Sequence, residues 1–128
     1  MTRDEAHVLV VEDNALVTSA MRILLEDAKF RVSTAGTVGE AYAACQADPP
    51  DVMLLDLRLP DGDGLTLLKR LRADGAPSSV VVALTGRDEP EIRARCLAAG
   101  CVDVLLKPVD VRALAPRLRS WLERAGAP

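Results

Sequence analysis

Aromatic residues are scarce in this chain of 128 residues, where Phe30, Tyr42 and Trp121 make up 2% of the sequence. Proteins that hold single-stranded nucleic acid usually stack bases on exposed aromatic side chains, so this mode of binding is largely excluded. The formal net charge of -3 also lacks the positive excess with which a domain holds the phosphates of duplex DNA. Because 49% of the residues are apolar but few are aromatic, the core must be built from aliphatic side chains.

Long hydrophobic runs and metal-binding cysteine motifs are also missing. No apolar stretch reaches the length of a membrane span, and the start of the chain, MTRDEAH, is too polar for a secretory signal. The three cysteines, Cys45, Cys96 and Cys101, are odd in number and follow no metal-ligand spacing. We expect them to be small buried hydrophobic residues of a protein in a reducing, cytoplasmic compartment.

Short β-branched runs alternate with longer helical patterns along the chain. The first run, residues 7–11, is continuously apolar, which is typical of a parallel strand buried on both faces. Similar runs at 31–35, 52–55, 80–84 and 102–106 predict four more strands, each preceded and followed by a helical pattern. Five strands that alternate with five helices indicate an α/β fold, with a parallel sheet covered on both faces.

Polar residues stand at the ends of four of these strands. Glu12 and Asp13 follow the first strand, Asp56 the third, Thr85 the fourth and Lys107 the fifth. In open parallel sheets, ligands bind beyond the carboxyl ends of the strands, so these side chains are expected to share one rim. Three crowded acids either hold protons or bind a cation, and Mg2+ is the best candidate for oxygen ligands. The cation, the ammonium and the hydroxyl would surround phosphate, and a carboxylate beside it can form an aspartyl phosphate.

Four motifs at these positions resemble the receiver domain of bacterial two-component response regulators. They are VLVVED at the first strand, MLLDLRLPDGDG around Asp56, VVALTG at the fourth strand and LLKP at the fifth. The resemblance extends over about residues 6–124, so a single receiver domain without an effector domain is expected over 1–128. It implies a three-layer, doubly wound (βα)5 fold of the flavodoxin-like type, with a five-stranded parallel sheet in the order 2-1-3-4-5.

The resemblance implies that Asp56 is the phosphoacceptor. It would take a phosphoryl group from a histidine kinase or a histidine phosphotransfer protein. Thr85 and Lys107 would assist the transfer and, with the backbone N–H of Gly86, hold the phosphoryl oxygens. The bond between Lys107 and Pro108 is typically cis in this family. The expected function is therefore a signalling switch that catalyses its own phosphorylation, not an enzyme.

Magnesium is the cofactor that the resemblance implies. Asp13 and Asp56 would be direct ligands, the backbone carbonyl of Arg58 would be the third protein contact, and Glu12 would act mainly through water. The family often has an aspartate at the position of Glu12. Glutamate has one more methylene group than aspartate but carries the same charge, so metal binding is expected to survive.

The resemblance also implies partners. A histidine kinase or phosphotransfer protein would act upstream, and an effector protein or a covalently linked output domain would act downstream. Direct contact with nucleic acid or a membrane is not expected, and the expected location is the cytoplasm. Many receivers pair through the face formed by helix 4, strand 5 and helix 5, so a homodimer through that face is one alternative. Pro116, inside the last helix, predicts a kink or a delayed helix start.

Val104 departs from the family pattern. The usual residue three positions before the lysine is Tyr or Phe, whose ring moves inward when the threonine shifts. Valine has no ring and little rotamer freedom, so the aromatic half of the usual switch is expected to be missing. We expect phosphorylation still to draw Thr85 and its loop inward. Arg58 and Arg87 stand two residues after Asp56 and Thr85, at positions that tune the phosphoryl lifetime in the family.

Two alternative functions remain open from the sequence. A phosphatase or phosphotransferase of the haloacid dehalogenase type also forms an aspartyl phosphate, but it has a second acid where this chain has Arg58. A degenerate receiver that only docks partners would have lost part of the acid, threonine and lysine set. Asp61 and Asp63 are expected to form a turn and cap a helix and not to bind Ca2+. His7 is expected to pack within its strand.

Overall fold

Strands and helices alternate along a computed structural model that describes residues 5–75 and 80–125. Every predicted strand and helix is present, and a short hairpin of two further strands lies between the third strand and the third helix. In chain order the elements are β1 (His7–Val11), α1 (Ala15–Asp27), β2 (Arg31–Ala35), α2 (Val38–Ala47), β3 (Val52–Asp56), β4 (Arg58–Leu59), β5 (Gly62–Asp63), α3 (Gly64–Ala73), β6 (Val80–Thr85), α4 (Pro90–Ala98), β7 (Asp103–Leu106) and α5 (Val111–Arg124).

The central sheet has the order β2-β1-β3-β6-β7, and all its strand pairs are parallel. With β6 and β7 as its fourth and fifth strands, this is the predicted order 2-1-3-4-5, which is confirmed. All residues of β1, β3 and β6 are buried, as their continuous apolar runs predict. The chain leaves β1 toward β2 on one side and later enters β3 on the other. The strand order therefore reverses between β1 and β3, where such folds form their sites.

Each face of the sheet carries its own hydrophobic core. Successive strand residues point to opposite faces, so Val8 and Val10 join one core while Leu9 and Val11 join the other. Helices α1 and α5 cover the first face, and α2, α3 and α4 cover the second. This three-layer arrangement leaves the carboxyl edge of the sheet open for a site.

The segment 60–64, where a turn is predicted, contains β5, which pairs antiparallel with β4 just before it. The carboxylate of Asp63 caps α3 by accepting the backbone N–H of Leu65 at 2.8 Å. The carboxylate of Asp61 accepts the N–H groups of Val38 and Gly39 at 2.7 and 3.1 Å, at the beginning of α2. The prediction that these two acids serve turn formation and capping is confirmed.

The cysteines and the histidine lie where the sequence predicts. Cys45, Cys96 and Cys101 are buried free thiols. His7 is buried within β1, and its Nε2 atom lies 2.7 Å from the hydroxyl oxygen of Ser33. Within residues 5–75 and 80–125, no helix combines the length and the apolar character that a membrane crossing needs.

Helix α5 corrects one prediction about Pro116. The helix begins at Val111 and continues through Pro116, so the delayed start is wrong, and the kink stays a prediction. Its beginning is set by Asp110, whose side chain accepts the backbone N–H of Arg112 at 3.2 Å. A favourable cap starts the helix here, and the proline then removes a single backbone donor from its interior.

Candidate functional site

Three carboxylates meet at the carboxyl edge of the sheet. Glu12 and Asp13 follow β1 and Asp56 ends β3, the two strands between which the strand order reverses. Each offers one carboxylate oxygen, and these oxygens all lie within 4.8 Å of one another. Glu12 and Asp56 are only 3% and 4% exposed, whereas Asp13 is exposed to solvent. The cluster therefore combines two buried acids with one that solvent reaches freely.

The ammonium of Lys107 connects the two buried acids. Its Nζ atom lies 2.7 Å from Oε1 of Glu12 and 2.8 Å from Oδ2 of Asp56. Partial burial acts to lower the pKa of Lys107, but its hydrogen bonds to Asp56 and Glu12 outweigh that effect and hold the pKa above its ordinary value. Lys107 is therefore a cation at neutral pH. The following peptide bond, to Pro108, is cis, as expected.

Asp56 and Thr85 are oriented by backbone donors two residues further along the chain. Oδ1 of Asp56 accepts the N–H of Arg58 at 3.0 Å, and Oγ1 of Thr85 accepts the N–H of Arg87 at 3.1 Å. The carbonyl oxygen of Thr85 also accepts the backbone N–H of Lys107 at 2.7 Å, which ties the end of β6 to the end of β7. Both side chains are thus held by local turns at the ends of their strands.

A cavity of about 600 Å3 opens over this cluster. The residues predicted for the site that line it are Asp13, Asp56, Arg58, Thr85, Gly86 and Lys107. Glu12, the remaining one, is not part of this lining and contacts the site through Lys107. The structure therefore brings every predicted site residue to the same edge of the sheet.

The acidic cluster suits a hard divalent cation. Its donors are carboxylate oxygens, which Mg2+ prefers, and the exposed side of the cavity leaves room for the water ligands that Mg2+ usually keeps. Both oxygens of Glu12 already have donors, because Oε2 accepts the N–H of Asn14 at 3.1 Å and Oε1 accepts from Lys107. Both oxygens of Asp56 also have donors, the N–H of Arg58 and Lys107, so Asp13, which is exposed, is the acid of the three that is best placed to contact a cation directly.

An ion pair that the sequence does not predict lies across this cavity. Nη2 of Arg95, on α4, is 3.4 Å from Oδ2 of Asp63, the cap of α3, and both residues line the cavity. Arg87 lines it as well, with its Nε atom 2.9 Å from Oε1 of Glu89. The motif pattern contains no signal for Arg95, because the pairing depends on how α4 lies against α3.

A parallel five-stranded sheet with acids, a threonine and a lysine at the carboxyl ends of its strands defines the receiver class of signalling switch. Residues 8–119 match the family model described as response regulator receiver domain, so the chain belongs to that family. The predicted family is confirmed. The site is accordingly the acidic pocket that is typical of a phosphoacceptor, in a switch of two-component signalling and not in a classical enzyme.

Curated and solved relatives agree with this assignment. The chain is 37% identical over 119 residues to the probable transcriptional regulatory protein TcrX of Mycobacterium tuberculosis, covering 93% of this chain and 50% of TcrX. The chain thus spans about half the length of the curated relatives it matches.

Two solved structures illustrate the shared fold. A two-component response regulator from Clostridium difficile superposes with a TM-score of 0.89 at 24% identity, covering 96% of this chain and 100% of that one. The BeF3-activated N-terminal receiver domain of Klebsiella pneumoniae RstA has a TM-score of 0.81 at 30% identity, covering 91% and 97%. The predicted flavodoxin-like fold is confirmed.

Proposed function

We propose that Asp56 accepts a phosphoryl group from a phosphohistidine of a histidine kinase or a phosphotransfer protein, and that this event switches contacts with a downstream partner. The observation that carries the proposal is the bridge from Lys107 to Asp56, at 2.8 Å, at the base of an open cavity. A cation held against one carboxylate at a solvent-accessible rim is the arrangement that phosphoryl transfer needs.

The transfer proceeds by attack of a carboxylate oxygen of Asp56 on phosphorus. The new O–P bond forms as the P–N bond to the histidine breaks, and the electron pair of that bond returns to the imidazole. Lys107 then neutralises charge on the phosphoryl oxygens. Because Oγ1 of Thr85 accepts its hydrogen bond from Arg87, its own O–H proton is free to be donated to a phosphoryl oxygen. The N–H of Gly86, on the cavity wall, supplies a second donor.

The proposed cofactor is Mg2+. Asp13, Asp56 and the backbone carbonyl of Arg58 would hold it, and Glu12 would act through water. The exposure of Asp13 supports its role as a direct ligand, and the position of Asp56 in the same acidic cluster supports a second contact. When bound, the ion supplies charge neutralisation for the incoming phosphoryl group.

The upstream and downstream partners are proposed from the family. TcrX is described as a transcriptional regulatory protein and is about twice the length that matches here, which supports output through a linked domain or a separate effector. Pairing of two copies through α4, β7 and α5 stays a prediction, as does a location in the cytoplasm without direct contact to nucleic acid or membrane. The assignment of residues 1–128 to one receiver domain, with a core at about 6–124, also stays a prediction.

Incubation with a small acyl phosphate and Mg2+, followed by intact-protein mass spectrometry, tests the proposal. The parent protein is expected to gain the mass of one phosphoryl group, and Asp56→Asn is expected to gain none. Asp61→Asn is the matched control, because Asp61 caps α2 outside the acidic cluster and its loss leaves the acceptor intact. Chelation of divalent cations should abolish the gain. Phosphorylation of Asp56→Asn, or no gain in the parent, would contradict the proposal.

A further inference from the structure

The ion pair between Arg95 and Asp63 lies across the cavity that contains Asp56. We propose that Arg95 exchanges Asp63 for the phosphoryl group when Asp56 is phosphorylated, and that this exchange moves α4. The movement of Arg95 then replaces the inward movement of an aromatic ring, which Val104 lacks. This inference rests on the proposed phosphorylation of Asp56. The experiment distinguishes a failure of the inference from a failure of the proposed phosphorylation.

Of the two partners in this pair, Arg95 is the one free to move. Oδ1 of Asp63 is bound to the backbone N–H of Leu65 at 2.8 Å, so this carboxylate belongs to the beginning of α3. The guanidinium of Arg95 stands at the end of a long side chain that is 63% exposed. The side chain of Asp63 is 45% exposed. Both line the cavity that contains Asp56, so Arg95 can turn toward the acceptor without leaving the cavity.

Phosphorylation changes the balance of charge in this cavity. An exposed ion pair with a separation of 3.4 Å contributes little, because water and salt screen it. A phosphoryl group carries up to about two negative charges, and a guanidinium binds its oxygens through two parallel hydrogen bonds. The phosphoryl group on Asp56 is therefore a stronger partner for Arg95 than the carboxylate of Asp63.

Helix α4 is weakly anchored, so a force on Arg95 can move it. Among its described residues, Pro90–Ala98, Cys96 alone is buried, and its N-cap residue Glu89 makes no capping hydrogen bond through its side chain. Arg93, two residues before Arg95, pairs instead with Asp103 of β7 at 3.3 Å. Besides the core contacts of Cys96 and Ile92, Arg93 holds the helix to β7 and Arg95 holds it to Asp63, the cap of α3. The contact of Arg95 is the one that the phosphoryl group competes for.

The neighbouring arginines of the cavity are less suited to this task. Arg87 is paired with Glu89 of its own loop at 2.9 Å, and Arg58 lies on β4. A change of partner by Arg58 would remain within its hairpin, and one by Arg87 would release only Glu89, the cap residue that precedes α4. Arg95 lies on α4 itself, so its choice of partner acts on the position of the whole helix.

Backbone amide NMR shifts of α4, recorded with Mg2+ before and after phosphorylation by an acyl phosphate, test the proposal. In the parent, amides of both the loop 85–87 and α4 are expected to shift. In the fraction of Arg95→Gln that mass spectrometry shows to carry one phosphoryl group, the loop shifts should remain and the α4 shifts should be lost. Arg93→Gln is the matched control from the same helix and should keep its α4 response.

A second variant should move α4 in the same sense as phosphorylation. Asp63→Asn keeps a good helix cap but removes the charge that holds Arg95. Its α4 amides are expected to lie, before any phosphorylation, shifted toward their phosphorylated positions. Equal α4 shifts in the parent and in Arg95→Gln would overturn the role of Arg95 and leave the proposed function intact. A parent that gains no phosphoryl group would overturn the proposed function, and this inference with it.

Discussion

At the residue scale, the ammonium of Lys107 balances two carboxylates that the fold has taken out of water. Leaving a buried charge without its partner costs several kcal/mol, so Lys107 contributes to folding as well as to the proposed chemistry. The sequence predicts that Lys107 lies near the acids, because parallel strands share an edge. It does not predict that Glu12, and not Asp13, is the acid that takes the ammonium together with Asp56.

Also at this scale, the thiol of Cys101 is expected to resist alkylation. Burial, together with the adjacent thiol of Cys96, raises the pKa of Cys101 from 9.0 to about 12. At pH 8 the reactive thiolate is therefore about a thousandfold rarer than for a thiol at the starting value.

Reaction with iodoacetamide at pH 8, followed by peptide mass spectrometry, measures this difference between the native protein and the protein in urea. The urea-unfolded sample is the control and should be alkylated rapidly at Cys101. A native rate close to the unfolded rate would show that the thiol is not shielded as the structure describes.

At the element scale, α3 begins directly against the end of β3, the strand that carries Asp56. A Cβ atom at Gly64 would lie 2.4 Å from the carbonyl oxygen of Asp56 and 3.0 Å from Cγ of Leu55. The sequence predicts a turn rich in Gly and Asp at this point. The close approach of the backbone to β3 depends on how the β4–β5 hairpin folds back, which no local pattern specifies.

Gly64→Ala is accordingly expected to lower the free energy of unfolding by about 1–3 kcal/mol, because the backbone of β3 or α3 must shift. Urea unfolding followed by circular dichroism measures the change. Gly86→Ala is the matched control, since nothing lies within 4 Å of a Cβ atom there, and its effect should stay within about 0.5 kcal/mol. Equal stabilities of Gly64→Ala and the parent would refute the close approach.

At the scale of the whole molecule, folding creates the acidic cluster, since its members come from β1 and β3, which are distant in the chain. The unfolded chain does not hold these oxygens together, so a cation that binds the cluster binds the folded state preferentially. Such a ligand stabilises the fold by about 2.7 kcal/mol when its concentration is a hundredfold above its dissociation constant.

Added Mg2+ is therefore expected to raise the melting temperature of the parent, as measured by differential scanning calorimetry. Asp13→Ala should lose this increase, yet remain folded without the ion because Asp13 is exposed. Potassium chloride at equal ionic strength is the control for screening. If Asp13→Ala gains as much stability from Mg2+ as the parent does, the cation does not bind at this cluster.

The sequence by itself determined the alternating strands and helices, the parallel sheet and the edge at which the site lies. Continuous apolar runs mark strands that are buried on both faces, and polar residues at their carboxyl ends must then meet at one rim. The family motifs supplied the strand order and the expected role of Asp56.

The tertiary structure alone decided the β4–β5 hairpin, which helix Asp61 caps and the pairing of Arg95 with Asp63. Each depends on side chains or backbone groups that come within a few ångströms only after separate elements have packed. A local pattern of residue types specifies which face of a helix is buried. It does not specify which exposed charge on α4 meets which acid on α3, because many pairings of exposed charges differ little in energy.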